Sequence, residues 1–162
     1  MRHYFAYGSN LNVDQMTRRC PGAVAIGTGK IKGYELLFRG SKTGSYLTIE
    51  PKKRSYVPVL LWEITDRDKL SLDRYEGFPT FYQIEYHEVE ITPLDGSAPF
   101  LQKGFVYVMD MTHPLGRPSN CYYEVCLEGY RRFGFDEKLL AKALDRSTVH
   151  RKSVLEGFKQ IV

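Results

Sequence analysis

The sequence predicts an α+β fold, a small mixed β-barrel with flanking helices, built as a single domain over residues 1–162. Two patterns predict it. Strand-like runs rich in Tyr, Phe, Val, Ile and Leu recur from His3 to Met109. Helical patterning with capping residues is confined to two short stretches and to the region after Ser119. No internal repeat, low-complexity tract or linker divides the chain.

The elements follow in order. His3 to Tyr7 reads as a first strand, which Gly8-Ser9-Asn10 breaks. A helix over Val13–Arg19 is expected next, with Asn12 as N-cap and Gln15 three residues on in a capping-box arrangement. Pro21-Gly22 stops it. Residues 23–39 form a long strand region in which Gly27, Gly29 and Gly33 predict bulges or bends. A polar turn spans Gly40 to Gly44, and Tyr46 to Ile49 resumes as a strand. Val57 to Ile64 predicts a separate buried strand with Pro58 near its start. Thr65, followed by Asp68, opens a second helix that runs to about Tyr75, and Gly77 supplies its C′ residue.

Tyr82–Ile91 and Gly104–Met109 alternate as strands, with Pro93-Leu94-Asp95-Gly96 turning between them. From Ser119 the period becomes helical, Tyr122, Val125, Cys126, Gly129 and Tyr130 sharing one face. A last helix is expected over Asp136–Leu144.

Composition narrows the function classes. Hydrophobic residues make up 43% and charged residues 26%, as in a soluble globular protein. No apolar run approaches the ~20 residues of a membrane span, and the N-terminus lacks a secretory apolar segment. The cytoplasm is the expected location. Cys20, Cys121 and Cys126 form no paired spacing, so a disulfide framework is not expected. Cys121 and Cys126 are expected to pack as small apolar residues. No C-x-x-C pair or His pair at helical spacing suggests zinc.

The net charge of +4 is spread over Arg18-Arg19, Lys52-Lys53-Arg54 and Arg131-Arg132, which read as solvated faces, not a nucleic-acid stripe. A cysteine nucleophile would need Cys20, Cys121 or Cys126 to meet His3, His87, His113 or His150, and no local signature supports that.

Two segments ask for a chemical explanation. Around Gly8, a glycine directly after a strand lets backbone approach a ligand, and the following amides open a helix where anions are favoured. Ser9 and Asn10 add side-chain donors. On spacing alone, a plain strand–turn–helix is the more economical reading. The second segment is Leu72-Asp73-Arg74-Tyr75-Glu76-Gly77-Phe78. A helix ending there puts Glu76 at the negative pole of the dipole, among Tyr75, Phe78, Phe81 and Tyr82. Both effects raise a carboxylate's pKa toward neutrality. A solvated glutamate at a frayed helix end is the plain alternative.

Together, Tyr4 to Leu11, with its Tyr7-Gly8-Ser9-Asn10-Leu11 core, and Leu72-Asp73-Arg74-Tyr75-Glu76-Gly77 resemble the γ-glutamylcyclotransferase family. Pro118-Ser119-Asn120-Cys121-Tyr122 adds a third likeness, to that family's P-S-x-x-Y stretch. The resemblance implies a small mixed β-barrel with no cofactor and no metal. It implies Glu76 as the catalytic acid/base and Tyr7, Gly8, Ser9 and Asn10 as the substrate loop, extending back toward Tyr4. Tyr122 then lies beside the glutamate and substrate.

The reaction it implies is closure of a γ-glutamyl group to 5-oxoproline with release of an amine. The expected partner is a small γ-glutamyl molecule, with no nucleic acid and no membrane, in a monomer or homodimer. Arg39–Gly44 and Met111–Arg117 are expected to shape the leaving-group side. A non-catalytic module that binds γ-glutamyl or other acidic small molecules is the alternative.

Overall fold

The protein is represented by a computed structural model that describes residues 1–41 and 43–148. His150 and the expected domain end at residue 162 lie outside the described residues, as does Lys42 in the polar turn.

Five strands close into a barrel: β1 (Arg2–Ala6), β2 (Val24–Ser41), β3 (Gly44–Ile64), β4 (Tyr82–Pro93) and β5 (Phe100–Met109). Their order around the barrel is β1-β3-β2-β4-β5. All neighbours run antiparallel except β1 and β5, which meet in parallel at Tyr4 and Phe105 and close the ring. The expected mixed barrel is therefore present. Closure removes free sheet edges, which an open five-stranded sheet would leave unpaired.

The β2–β3 hairpin is the main departure from expectation. Tyr46–Ile49 and Val57–Ile64 belong to one strand of 21 residues. Their two halves pair separately with β2: Tyr34 opposes Pro51, Lys32 opposes Tyr56, and residues 52–55 have no partner between them. Gly33 (φ 78°) and Arg54 (φ 63°) take left-handed backbone on the two sides of this interruption. The bend lets one hairpin serve two parts of the barrel wall.

Pro58 is thus in mid-strand opposite Lys30, just past the unpaired stretch and not at a strand start. A second register shift falls between Ala25 and Gly27. At Gly29 the ladder is regular, and glycine serves close approach: a Cβ there would lie 2.6 Å from the Glu90 carbonyl oxygen of β4.

Three capped helices flank the barrel: α1 (Val13–Arg19), α2 (Asp66–Glu76) and α3 (Asn120–Arg132). A fourth, α4, starts at residue 138 and continues through 148. Asn12 caps α1 by accepting from the Gln15 amide at 3.2 Å. The expected return arm of that box is missing, because the Gln15 side chain accepts from Arg19 instead. At α2 the box is complete, with Thr65 and Asp68 exchanging both bonds, and Gly77 ends the helix in left-handed conformation (φ 67°).

Among the described residues no helix is long and apolar enough to cross a membrane. Cys121, expected to pack, is exposed at the start of α3, whereas Cys20 and Cys126 are buried.

The core fills the barrel and the α3 side, with Phe5, Phe38, Leu60, Leu61, Ile91 and Tyr107 among its fully enclosed side chains. Helix α3 sits directly on the turn Ser9–Leu11 that follows β1. Gly129 makes this possible: a Cβ there would lie 2.5 Å from Leu11 Cβ and 3.1 Å from the Leu11 carbonyl carbon. The Tyr130 hydroxyl donates to the Tyr7 carbonyl at 3.3 Å. Asn12 Nδ2 donates to Glu128 Oε2 at 2.8 Å. The prediction is that Gly129→Ala overpacks this contact and costs ~1–3 kcal/mol, read as a fall of several degrees in melting temperature by calorimetry.

Candidate active site

The end of β1, the turn that follows it and the C-terminal end of α2 converge at one mouth of the barrel. Between them lies a cavity of about 410 Å³. Tyr7, Gly8, Ser9, Asn10, Glu76 and Tyr122 all line it. The structure therefore brings together every site residue expected from the sequence, across separations of more than 110 positions. A larger groove of about 850 Å³ between β2, β4 and the turn after α3 contains none of them.

Glu76 is the last residue of α2, and Gly77 turns the chain away immediately after it. Burial pushes its carboxyl up from the ordinary 4.5 to about 7, against the opposing pull of Arg19 and the Asn10 hydrogen bond. The direction matches the sequence argument, and loss of solvent is the dominant cause. Of the four aromatics expected to crowd it, Tyr75, Phe81 and Tyr82 line the cavity. Phe78 does not: it is exposed, with its ring centroid 5.0 Å from the Lys69 ammonium.

Asn10 is the hub of the loop. Its Nδ2 donates to Glu76 Oε1 at 3.2 Å and to the Tyr4 hydroxyl at 3.0 Å. Its carbonyl accepts from Trp62 Nε1 at 3.0 Å. Its Oδ1 accepts from Arg19 Nη1. Ser9 and Asn10 open a three-residue 3₁₀ turn, whose first amides have no acceptor within the turn. Gly8 lies against Tyr122, and a Cβ there would lie 3.3 Å from the Tyr122 hydroxyl and 3.5 Å from Leu47 Cδ1.

The tyrosines form a proton-inert wall. Burial pushes the hydroxyls of Tyr4, Tyr7, Tyr82 and Tyr122 well above the usual phenol range, and Tyr107 likewise. Two of them donate to wall carbonyls, Tyr7 to Tyr107 at 2.5 Å and Tyr82 to Leu47 at 2.8 Å. Tyr122 accepts from the Leu47 amide at 3.1 Å. Tyr107 donates to Asp73 Oδ1 at 2.6 Å, and Asp73 also pairs with Lys69 at 2.8 Å, tying α2 to β5 one turn before Glu76. Glu76 is the cavity group whose proton affinity lies close to neutral pH.

On the outer side, Ser41 and Thr43 line the cavity, as do Tyr46 and Arg74. The described lining includes no residue of Met111–Arg117. Arg39 instead pairs with Glu50 at 2.5 Å and donates to the His113 carbonyl at 2.8 Å, fastening the stretch behind the wall. His113 packs on Phe81 with ring centroids 5.0 Å apart.

Arg19, expected on a solvated face, is not on one: it turns inward onto Asn10 and stacks over Tyr75, its Cζ 3.5 Å from the ring centroid. The spacing of Gln15 and Arg19, one helical turn apart, is the only sequence trace of that arrangement.

Comparison with known proteins agrees with this geometry. A family model described as Gamma-glutamyl cyclotransferase, AIG2-like, matches residues 4–132. No curated protein matches the sequence significantly. A solved structure described as gamma-glutamyl cyclotransferase superposes with a TM-score of 0.70 at 23% identity, covering 88% of this chain and 85% of its own. YkqA from Bacillus subtilis superposes with a TM-score of 0.71 at 18% identity, over 91% of this chain and 54% of its own. An AIG2-like protein from Mus musculus gives a TM-score of 0.55 at 23% identity, over 75% and 82%. At these identities the structural likeness is one of fold.

The raised Glu76 pKa has a consequence for stability. The folded state binds this proton more tightly than the unfolded chain, so the contribution is complete below about 4.5 and is lost as pH rises through about 7. Above that, the ionised carboxyl costs on the order of 3 kcal/mol. Glu76→Gln is therefore predicted to melt several degrees above wild type at pH 8. The gain should shrink toward pH 5 when both proteins are scanned by calorimetry.

Proposed function

The chain belongs to the gamma-glutamyl cyclotransferase, AIG2-like family, and on that premise we propose that it closes the γ-glutamyl group of a γ-glutamyl amide into 5-oxoproline and releases the amine. The observation that carries this reading is Glu76, a partly buried carboxyl that faces the cavity, has its proton affinity raised to about 7, and is hydrogen-bonded to the loop that would hold the substrate.

The chemistry suits one carboxylate. The substrate's α-amine attacks its own γ-carbonyl carbon, a C–N bond forms to close the five-membered ring, and the original amide C–N bond breaks. Glu76 takes a proton from the α-ammonium group and returns one to the leaving nitrogen, and the second proton lost by the α-nitrogen ends on the released amine, which departs as its ammonium. A group with proton affinity near the working pH performs both transfers. Because attack is intramolecular, much of the acceleration comes from folding the substrate into attacking geometry. The enclosed tyrosine wall favours that compact shape.

The amides around Gly8 to Asn10 are proposed to meet the α-carboxylate or the developing oxyanion, and Tyr122 to pack beside the reacting centre. The leaving group is assigned to the exposed rim at Ser41, Thr43 and Arg74. The reading takes a small γ-glutamyl molecule as partner, requires no cofactor and places the reaction in the cytoplasm.

The test is 5-oxoproline release from γ-glutamyl dipeptides, γ-glutamyl-lysine, γ-glutamyl amines and glutathione. Wild type is predicted to turn over at least one class. Its kcat/KM should rise with pH up to a limb at about 7, since Glu76 must be ionised to accept the proton. Glu76→Gln is predicted to lose ~10²–10⁴-fold in kcat. Binding of γ-glutamyl compounds with no release from any of them would overturn the proposed reaction in favour of a binding module.

A further inference from the structure

The loop amide that faces Glu76 has only one orientation consistent with its neighbours, and a residue outside the cavity lining dictates it. A guanidinium carries five donors and no acceptor. Arg19 Nη1 points at the Asn10 side chain, so Asn10 must present Oδ1 to it. The amide is planar, so its Nδ2 is then turned to the opposite side, where it donates to Glu76 Oε1 at 3.2 Å and to Tyr4 at 3.0 Å.

Arg19 itself is fixed on two further sides. Its Nη2 donates to Gln15 Oε1 at 2.9 Å, and its guanidinium stacks on Tyr75, the residue before Glu76. Helix α1 is thereby coupled to the last turn of α2 through a stacked cation and a single amide.

We propose that Arg19 is a positioning residue for the proposed reaction: by fixing the Asn10 side-chain amide with its donor toward Glu76, it holds that carboxyl in its accepting form and orientation. This rests on the assignment of Glu76 as the proton-transferring group. Without Arg19 the amide is free to rotate and show Oδ1 to Glu76, an acceptor facing an acceptor, which favours the protonated carboxyl. The lost positive charge acts in the same direction.

The other polar groups facing Glu76 do not replace it. Tyr4 and Tyr7 from the end of β1, Tyr82 from β4, Tyr107 from β5 and Tyr122 from α3 are neutral hydroxyls, and Arg74 on α2 is exposed at the rim.

The experiment follows the Glu76 carboxyl by ¹³C NMR in protein carrying labelled glutamate, without substrate, with Glu76→Gln used to assign the signal. Arg19→Met is expected to raise the titration midpoint by about one pH unit relative to wild type. Arg19→Lys, which keeps a donor and a charge, is expected to fall between the two. A merely structural Arg19 would lower the melting temperature of Arg19→Met while leaving the midpoint at its wild-type value, and that result would overturn the proposal.

In the 5-oxoproline assay, the acid limb of kcat/KM should move upward in parallel. The titration needs no turnover. Absence of 5-oxoproline release by wild type therefore counts against the reaction alone, and an unmoved midpoint counts against Arg19 alone.

Discussion

Everything at the mouth of this barrel depends on keeping one carboxyl away from water. An isolated buried carboxylate is too costly to persist, so such a group either finds a charge partner or takes up a proton more readily. Glu76 does the latter, with partial compensation from the Arg19 charge and one amide hydrogen bond. That compromise sets the demands on the surroundings. The end of α2 must be pinned so that the carboxyl cannot swing outward, which Gly77 and the Tyr107–Asp73–Lys69 links accomplish. The wall must exclude water without offering a strong competing charge, which the buried neutral tyrosines accomplish, Tyr7 and Tyr82 by directing their hydroxyls to backbone carbonyls.

The barrel supplies the rigidity this needs. The turn after β1 is held from below by Trp62 of β3 and from the side by α3, which approaches within contact only because residue 129 has no side chain. The loop and the glutamate lie 66 positions apart along the chain, counted from Asn10 to Glu76, yet both are fixed to the same closed sheet. Their separation is therefore set by strand register and helix docking, not by the flexibility of either segment.

Much of this was legible in the sequence wherever the signal was local. The bounds of α1, the Thr65–Asp68 box and the role of Gly77 follow from capping chemistry, and each acts within one helical turn. The barrel closure and the gathering of Glu76 with Tyr7 to Asn10 were legible through the family motifs. What escaped was non-local. Residues 52–55 look like a break between strands, but they are an unpaired excursion within one, visible only once β2 is laid alongside.

Gln15 has the composition of a capping-box partner, and a competing arginine one turn later takes it. Arg19 reads as surface charge because nothing in its neighbours along the chain reveals that Asn10 returns to meet it. Tyr82 and Tyr107 share the alternation of ordinary core residues, so periodicity places them inside without distinguishing wall from core.

The central claim, that Glu76 meets the α-amine of a γ-glutamyl group, is tested most directly by a crystal structure of Glu76→Gln with γ-glutamyl-alanine bound. The α-nitrogen is expected within about 3 Å of the residue 76 side chain, and the γ-carbonyl carbon ~3–3.5 Å from that nitrogen. A γ-glutamyl group seated in the cavity with its α-nitrogen turned away from residue 76 would contradict it.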